Sequence, residues 1–192
     1  TLDLFFNQIS DISALSGLTE LASLNLGYNQ ISDITAVAGM TKLWRLVVDV
    51  NNVNDISVLT GLTQLTVLTL GGNQISDVTP LAGLTNLTVL SLLRNQIADI
   101  SVLSGLTKLT NLDLFFNQIS DISALSGLTN LTFLNLQYNS LNVAAYCTNL
   151  MIIENNNPGI RLFYDENPYS SCNSKPVADA GANLDIASED QY

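Results

Sequence analysis

An asparagine recurs every 22 residues through most of the chain, and this period is the feature that most restricts the possible folds. It stands at Asn7, Asn29, Asn51, Asn73, Asn95, Asn117 and Asn139. A fixed period of roughly 20 to 50 residues is typical of stacked repeats, because each unit has an apolar edge that only a neighbouring unit can bury. We therefore expect a solenoid.

One unit, residues 109–130, shows the pattern that predicts the secondary structure. It reads Leu-x-x-Leu-x-Leu-x-x-Asn-x-Ile-x-Asp-Ile-x-x-Leu-x-Gly-Leu-Thr-x. The alternation at Leu112 and Leu114 predicts a short strand, and the irregular apolar spacing after Asn117 predicts a tight return. The short polar residues that begin the return favour one turn of 3₁₀ helix. We expect Gly127 to supply a position that tolerates a positive φ.

Stacking these units would pair their strands in parallel, about 4.8 Å apart. Because the returns are bulkier than the strands, the stack should curve with the sheet on its concave face. Amide side chains bond backbone groups that turns leave unpaired, so the asparagines predict a ladder along the stack. A second row, of aspartates, begins the returns and is interpreted as caps in preference to a calcium or catalytic row: Asp11, Asp33, Asp55, Asp77, Asp99 and Asp121.

The repeats resemble a known family, the leucine-rich repeats, and specifically the 22-residue bacterial kind found in internalins and in the Sds22-like subclass. The strand motif, the asparagine and the Asp-Ile-x-x-Leu-x-Gly-Leu return agree in several units across residues 1–142, about seven units with the first one truncated. The resemblance implies a leucine-rich repeat solenoid of the α/β class, with a curved parallel sheet on the concave face, short 3₁₀ turns on the convex face and a C-terminal cap. It also implies that the concave face binds other macromolecules.

The repeat pattern ends after Asn139, and residues 143–174 are predicted to form the C-terminal cap, with a turn and one last strand at 160–164. This segment resembles the caps of large secreted bacterial repeat proteins. It contains the only two cysteines of the chain, Cys147 and Cys172. We expect them to form a disulfide, as suits an extracellular protein. The alternative is two buried free thiols.

Both ends of the chain carry further expectations. Residues 175–192 resemble the opening strand of PKD-like or immunoglobulin-like domains, and we expect a linker or the start of a truncated domain of that kind. At the other end, apolar residues of the first unit face no preceding unit, which predicts earlier repeats, a cap, or self-association through the N-terminal repeat end: Leu2, Leu4, Ile9, Ile12, Leu15 and Leu18.

Composition excludes several classes of function. The chain carries six Lys and Arg against 17 Asp and Glu, a formal net charge of −11, without a basic cluster. Nucleic-acid binding and docking on anionic membranes are therefore disfavoured, and no apolar run reaches the ~18 residues needed for membrane insertion. The chain has no histidine, no phosphate-binding loop and no zinc-type cysteine spacing. We expect no catalysis, no cofactor and no metal site.

The units differ from one another almost only at the outward positions of the strands, so the scaffold is uniform while one face is diverse. The predicted ligand-binding residues on that face are Phe5, Phe6, Tyr28, Trp44, Arg45, Asp49, Leu93, Arg94, Phe115, Phe116, Phe133 and Tyr138.

We expect the four rings of Phe115, Phe116, Phe133 and Tyr138 to form one patch, with Leu93 and Arg94 along its other side. Gly71 and Gly72 should leave a hollow between this patch and Asp49. The alternative is that the rings only pack on one another. The predicted function is a secreted or cell-surface module that recognises a protein or glycan. A structural or matrix protein that assembles end to end is the alternative.

Overall fold

The computed structural model describes residues 1–169 and Cys172. Within them, eight short strands form one parallel sheet in which each strand lies beside its neighbours in sequence. The strands are β1 (Leu2–Asp3), β2 (Ser23–Asn25), β3 (Arg45–Val47), β4 (Val67–Thr69), β5 (Val89–Ser91), β6 (Asn111–Asp113), β7 (Phe133–Asn135) and β8 (Arg161–Phe163). The predicted parallel solenoid is confirmed.

The register of the sheet follows the 22-residue period. Leu68 pairs with Leu90, and Leu90 pairs with Leu112. Equivalent residues of successive units therefore lie side by side, and each outward position becomes a column that runs across the sheet. Even the cap keeps this register, because Leu162 of β8 pairs with Leu134 of β7.

The returns contain the predicted 3₁₀ helices, at Ser13–Leu15, Thr35–Val37, Ser57–Gly61, Thr79–Leu81, Ser101–Gly105 and Ser123–Leu125. In each return an aspartate Oδ1 accepts the backbone N–H two residues later, at 2.7 to 2.8 Å. This confirms the interpretation of the aspartate row as caps. The backbone N–H and then the hydroxyl of the following Ser or Thr lower the pKa of five of these carboxyls: Asp11, Asp33, Asp55, Asp77 and Asp99.

The core is a continuous apolar column between the sheet and the returns. In the unit of β6, Leu112 and Leu114 enter it from the strand, while Ile119, Ile122 and Leu125 enter it from the return, all fully buried. The same positions are buried in the neighbouring units, so each inner unit shares its core with the units on both sides. The stability of one unit therefore depends on the presence of the next.

The asparagine ladder is present, and each rung joins two units. The Oδ1 atom of Asn73 accepts the N–H of Val53 at 3.0 Å, and its Nδ2 atom donates to the carbonyls of Val48 at 2.9 Å and Leu70 at 3.0 Å. The side chain thus bonds backbone groups of its own turn and of the preceding unit. The side chain of Asn7, in the first unit, donates only to carbonyls within that unit, those of Leu4 and Phe5.

The residue before each asparagine adopts a left-handed conformation, which the sequence analysis did not predict. The seven residues have φ between 51° and 64°: Phe6, Tyr28, Val50, Gly72, Arg94, Phe116 and Tyr138. Gly127, expected to fill that role, does not have a positive φ. The chain reverses directly after the strand, and only one unit marks the position with the residue that favours it, Gly72.

The cap closes the C-terminal end of the core. A five-residue π-helical stretch, Ala145–Asn149, continues into the α-helix α1, Leu150–Asn156, which buries Leu150 and Ile153. This helix was not predicted. Cys147 and Cys172 form the disulfide, with their Cα atoms 5.1 Å apart.

Two further predictions concern other parts of the chain. The PKD-like or immunoglobulin-like start at residues 175–192 lies outside the described residues. In the part of the chain that the structure does describe, no helix is long and apolar enough to cross a membrane.

Candidate functional site

The outward side chains of β1–β8 form the surface that we call the sheet face. Two columns border it along the asparagine ladder, and we call this border the rim. The first column is Phe5, Gly27, Asp49, Gly71, Leu93, Phe115 and Gln137, and the second is Phe6, Tyr28, Val50, Gly72, Arg94, Phe116 and Tyr138. The residues of the second column are those with the left-handed backbone conformation. Their side chains therefore project from the turn that follows each strand.

Three predicted aromatic residues come together at the C-terminal part of the rim. The ring of Phe115 meets that of Tyr138 edge to face, with centroids 5.0 Å apart, and Phe116 lies 6.3 Å from each of them. Phe116 and Tyr138 remain 55% and 54% exposed, so packing within the cluster leaves about half of their surface open.

Arg94 joins these rings in a cleft of about 580 Å³, which we call the C-terminal cleft. Its lining residues are Asn73, Arg94, Asn95, Gln96, Phe115, Phe116 and Tyr138. Among the described residues Arg94 takes part in no salt bridge. The cleft therefore offers apolar ring surface beside a free guanidinium group.

Phe133 does not belong to this cluster, so the prediction of a four-ring patch is wrong on this point. Phe133 lies in register with Asn111 and Arg161, at the other end of the three-residue strand. Its ring packs against Phe163 of β8, with centroids 5.7 Å apart. Gln137, in the rim column, comes four residues after Phe133 and beyond the end of β7, so at about 3.3 Å per extended residue the two lie roughly 13 Å apart.

The predicted hollow at Gly71 is also absent, because neighbouring side chains fill it. A Cβ atom at Gly71 would lie 2.8 Å from Cγ of Leu93 and 3.1 Å from Oδ1 of Asp49. The Asp49 carboxylate accepts the N–H of Gly71 at 2.7 Å and the hydroxyl of Thr69 at 2.5 Å. Leu93 and Asp49 thus stabilise the rim, and Asp49 has no free oxygen aimed at a ligand.

A second cluster of the same kind occupies the N-terminal part of the rim. The rings of Phe5 and Tyr28 lie 5.2 Å apart, edge to face, and Phe6 lies 6.1 Å from Phe5 and 6.2 Å from Tyr28. A cleft of about 530 Å³, the N-terminal cleft, is lined by Phe6, Asn7, Gln8, Tyr28, Asn29, Gln30 and Val50. The three rings were predicted as site residues, but their assembly into a separate cluster, two rings of which line a cleft, was not.

Trp44 and Arg45 lie at the opposite border of the sheet face, where β3 begins. Trp44 is 46% exposed, and its carbonyl accepts the Thr66 hydroxyl at 3.1 Å. Neither residue lines either cleft. The structure therefore separates them from the rim residues with which they were grouped.

The cap adds two residues to the sheet face that the sequence analysis missed. The guanidinium carbon of Arg161 lies 5.8 Å from the ring centroids of both Phe133 and Phe163, within the range of a cation–π contact. The signal was present in the sequence, because Arg161-Leu162-Phe163 repeats the outward-inward-outward pattern of the other strands.

Charges are few on the sheet face, and two of its carboxyls are partly desolvated. Burial raises the pKa of Asp49, although Thr69 and Gly71 offset part of the effect. Burial also raises the pKa of Asp113, whose Oδ1 accepts the N–H of Phe115. Within residues 1–169 and Cys172, no group of three His, Cys, Asp or Glu side chains could hold a metal ion. The arrangement is suited to binding by burial of apolar surface.

Comparisons with known proteins agree with this geometry. The model of the family described as leucine rich repeats (2 copies) matches residues 1–39, 63–105, 85–127 and 107–145. The match ends before residue 175, so it adds no support for a PKD-like or immunoglobulin-like segment. A search of curated proteins finds no significant match.

Solved structures similar to the chain include two internalins of Listeria monocytogenes. The internalin InlF superposes with a TM-score of 0.79 at 40% identity, over 88% of this chain and 48% of that one. Internalin C2 superposes with a TM-score of 0.72 at 34% identity, over 84% of this chain and 69% of its own.

A leucine-rich repeat protein of Leptospira interrogans gives a TM-score of 0.70 at 28% identity, over 82% of this chain and 40% of that one. The chain thus spans about half the length of InlF and less of the Leptospira protein. The repeat motif, the register of the sheet and these matches agree, and the chain belongs to the leucine-rich repeat family, among its internalin-like bacterial members.

Proposed function

We propose that the chain is a recognition module that binds a protein partner across the sheet face, which we take to be the concave one, with the C-terminal cleft as its main contact. The observation that carries this proposal is the exposure of Phe116 and Tyr138 beside Arg94 in an ordered cleft. Leucine-rich repeat proteins of the internalin type typically mediate protein binding, which supports a protein in preference to a glycan.

The physical argument starts from the rings. An aromatic side chain buries about 150 Å² or more in a contact, and aromatic and Arg residues are over-represented among the few positions that dominate binding energy. The backbone of Phe116 and Tyr138 is fixed by the left-handed turn and by the ladder beneath it. Binding therefore costs little backbone conformational entropy at this surface.

We also propose an extracellular or cell-surface location. The Cys147–Cys172 disulfide supports it, because disulfides persist in oxidising compartments. The proposal includes no catalytic step.

The test is partner binding by the double variant Phe116→Ser/Tyr138→Ser. Wild type and variant are each used as bait to capture proteins from a cell surface. One captured protein is then purified, and its affinity for both baits is measured by titration. We expect at least a tenfold loss of affinity, about 1.4 kcal/mol, with an unchanged unfolding midpoint. Lost stability with unchanged affinity would show that the rings only pack on one another.

A matched control removes apolar surface elsewhere. Val143 and Met151 in the cap are 46% and 40% exposed, and they lie outside both clefts. The variant Val143→Ser/Met151→Ser should bind the partner like wild type. An equal loss in this variant would mean that general surface apolarity, and not the cleft, determines binding.

End-to-end assembly remains the second candidate, because one observation favours it. Leu2, Leu4 and Ile9 are only partly buried against the core, and Leu18 is 43% exposed. Sedimentation velocity over a range of concentrations separates the two functions. Growth of multimers that Leu18→Ser abolishes would favour assembly, whereas a monomer at all concentrations would favour recognition.

A further inference from the structure

The two ring clusters on the rim share one geometry, although the clefts beside them are lined differently. The three ring distances are 5.2, 6.1 and 6.2 Å in the N-terminal cluster and 5.0, 6.3 and 6.3 Å in the C-terminal cluster. The edge-to-face pairs have interplanar angles of 65° and 67°. The N-terminal cleft is lined by two of its cluster's rings and Val50, whereas the C-terminal cleft is lined by all three of its rings and Arg94.

Copying of one unit explains only part of this match. Leu2–Thr19 and Leu112–Thr129 are identical, which accounts for the two Phe pairs. Tyr28 and Tyr138 lie in the following units, outside the identical segment.

Those following units have changed around the tyrosine. Ser23 corresponds to Phe133, Gly27 to Gln137, and Gln30 to Ser140. A tyrosine nevertheless completes the cluster in both places, at a position that is half exposed and therefore not required by the core.

The rim between the clusters carries no ring. The two rim columns hold Asp49, Val50, Gly71, Gly72, Leu93 and Arg94 in the three intervening units. The clusters sit on β1–β2 and β6–β7 of one continuous sheet. Five strand spacings of about 4.8 Å separate them, which places them roughly 24 Å apart on one rigid surface.

We propose that the N-terminal and C-terminal ring clusters act as a pair and hold one protein partner that presents two apolar side chains about 24 Å apart. Two equal ring clusters on one face suit a partner that repeats the same apolar element, namely a tandem-repeat protein. The inference rests on the proposed function and adds the valency and the spacing of its ligand.

The chemistry of the lining favours apolar anchors. Phe6, Tyr28 and Val50 line the N-terminal cleft together with four Asn and Gln residues and no charged group, so burial of apolar surface and neutral hydrogen bonds are its sources of affinity. When both anchors belong to one body, the second binding event becomes intramolecular, and affinity rises without any new contact.

The test uses N-acetyl-tryptophanamide as a minimal apolar anchor, alone and as two copies joined by polyethylene glycol linkers of graded length. Binding is followed by NMR titration of the wild type, of Tyr28→Ser, of Tyr138→Ser and of the two combined. Thermal unfolding confirms that each variant is folded, and Phe6→Ser replaces Tyr28→Ser if that variant is not.

We expect the wild type to bind two equivalents of the single probe and each single variant to bind one. A pair with a linker that spans about 24 Å should bind the wild type at least tenfold more tightly than a short-linked pair. Neither single variant should show that gain. One equivalent or none on the wild type, or a gain that survives Tyr28→Ser, would overturn the inference.

Two further outcomes separate this inference from the proposed function. If a captured partner loses affinity with Phe116→Ser/Tyr138→Ser but not with Tyr28→Ser, the recognition module stands and the pairing of clefts is wrong. If chito- or cello-hexaose binds through both tyrosines, the occupant is a glycan and the assignment to a protein partner is overturned.

Discussion

The Oδ1 atom of Asp49 accepts a hydrogen bond of 2.7 Å from the backbone N–H of Gly71, its equivalent in the next unit. The hydroxyl of Thr69 donates to the other carboxylate oxygen at 2.5 Å. Burial raises the pKa of this carboxyl, while the two hydrogen bonds and the charge of Arg45 act in the opposite direction. Asp49 therefore joins β3 to β4 at the cost of holding a partly desolvated charge.

Asp49→Asn should stabilise the protein at neutral pH. The pKa of this carboxyl is higher in the folded chain than in the unfolded chain. At a pH between these two values the folded chain holds a proton that the unfolded chain has lost, so stability falls as the pH rises through this range. Above the pKa of the folded state, this loss of stability is complete. An amide keeps the bond to Gly71 and donates to Thr69 without that penalty. We expect a higher Tm at pH 7 and a difference that disappears below the usual carboxyl range.

The control for this prediction is a substitution of Asp55, which should change stability at pH 7 in the opposite direction. The N–H and then the hydroxyl of Ser57 lower the pKa of Asp55, so its stabilising effect is present above the unfolded pKa and is lost as the pH falls through the folded one. Asp55→Asn should lower the Tm at pH 7 and have no effect in strong acid. Equal shifts for Asp49→Asn and Asp55→Asn would contradict the assigned causes.

Asn73→Ala should destabilise the protein strongly. It removes the acceptor of the Val53 N–H and the donor to the Val48 and Leu70 carbonyls, all of them buried. An unsatisfied buried polar group costs about 1 to 3 kcal/mol, so we expect a loss of at least about 2 kcal/mol in urea unfolding. Asn7→Ala is the matched control, because the side chain of Asn7 is exposed and bonds only within its own unit. A similar loss for both variants would refute the role of the ladder between units.

Gly71→Ala should be unfavourable because of Leu93. The added Cβ would lie 2.8 Å from Cγ of Leu93, and overpacking of this kind typically costs about 1 to 3 kcal/mol. Adding Leu93→Ala should restore much of the loss, a coupling that a double-mutant cycle measures. Gly105→Ala serves as the control, since nothing lies within 4 Å of a Cβ there.

Reduction of the Cys147–Cys172 disulfide should destabilise the cap. The two cysteines are 25 residues apart in sequence, and closing a loop of that length contributes roughly 3 to 4 kcal/mol in the chain-entropy model. We expect a lower Tm with reductant, and no further effect of reductant on Cys147→Ser/Cys172→Ser. Labelling of both thiols in the native, unreduced protein would show that the bond does not form in solution.

The fold of the repeats was predictable because one sequence pattern occurs seven times. Leu112, Leu114, Asn117 and Ile119 each specify a burial or a hydrogen bond that equivalent residues repeat in the other units. The cap has no such repetition, so α1 was missed although Leu150 and Ile153 have the spacing of one helical face.

The site was only partly predictable for a different reason. Columns of the sheet assign residues to a face, but they do not say in which direction a side chain leans. Leu93 leans back over Gly71 and fills the expected hollow. Phe133 turns to Phe163, a partner from the cap. Both outcomes depend on contacts between units, which the pattern within one unit does not contain.

The left-handed residue before each asparagine has a consequence for how such a protein acquires new ligands. The backbone there keeps the same conformation whether it carries a ring, an aliphatic group, a guanidinium group or no side chain. A point mutation at that position changes the chemistry of the surface without disturbing the fold beneath it. Duplication of a 22-residue block carries a finished pair of rings to a new place, as Phe5 and Phe6 relative to Phe115 and Phe116 show. Evolution of specificity in this chain is therefore separable from evolution of stability.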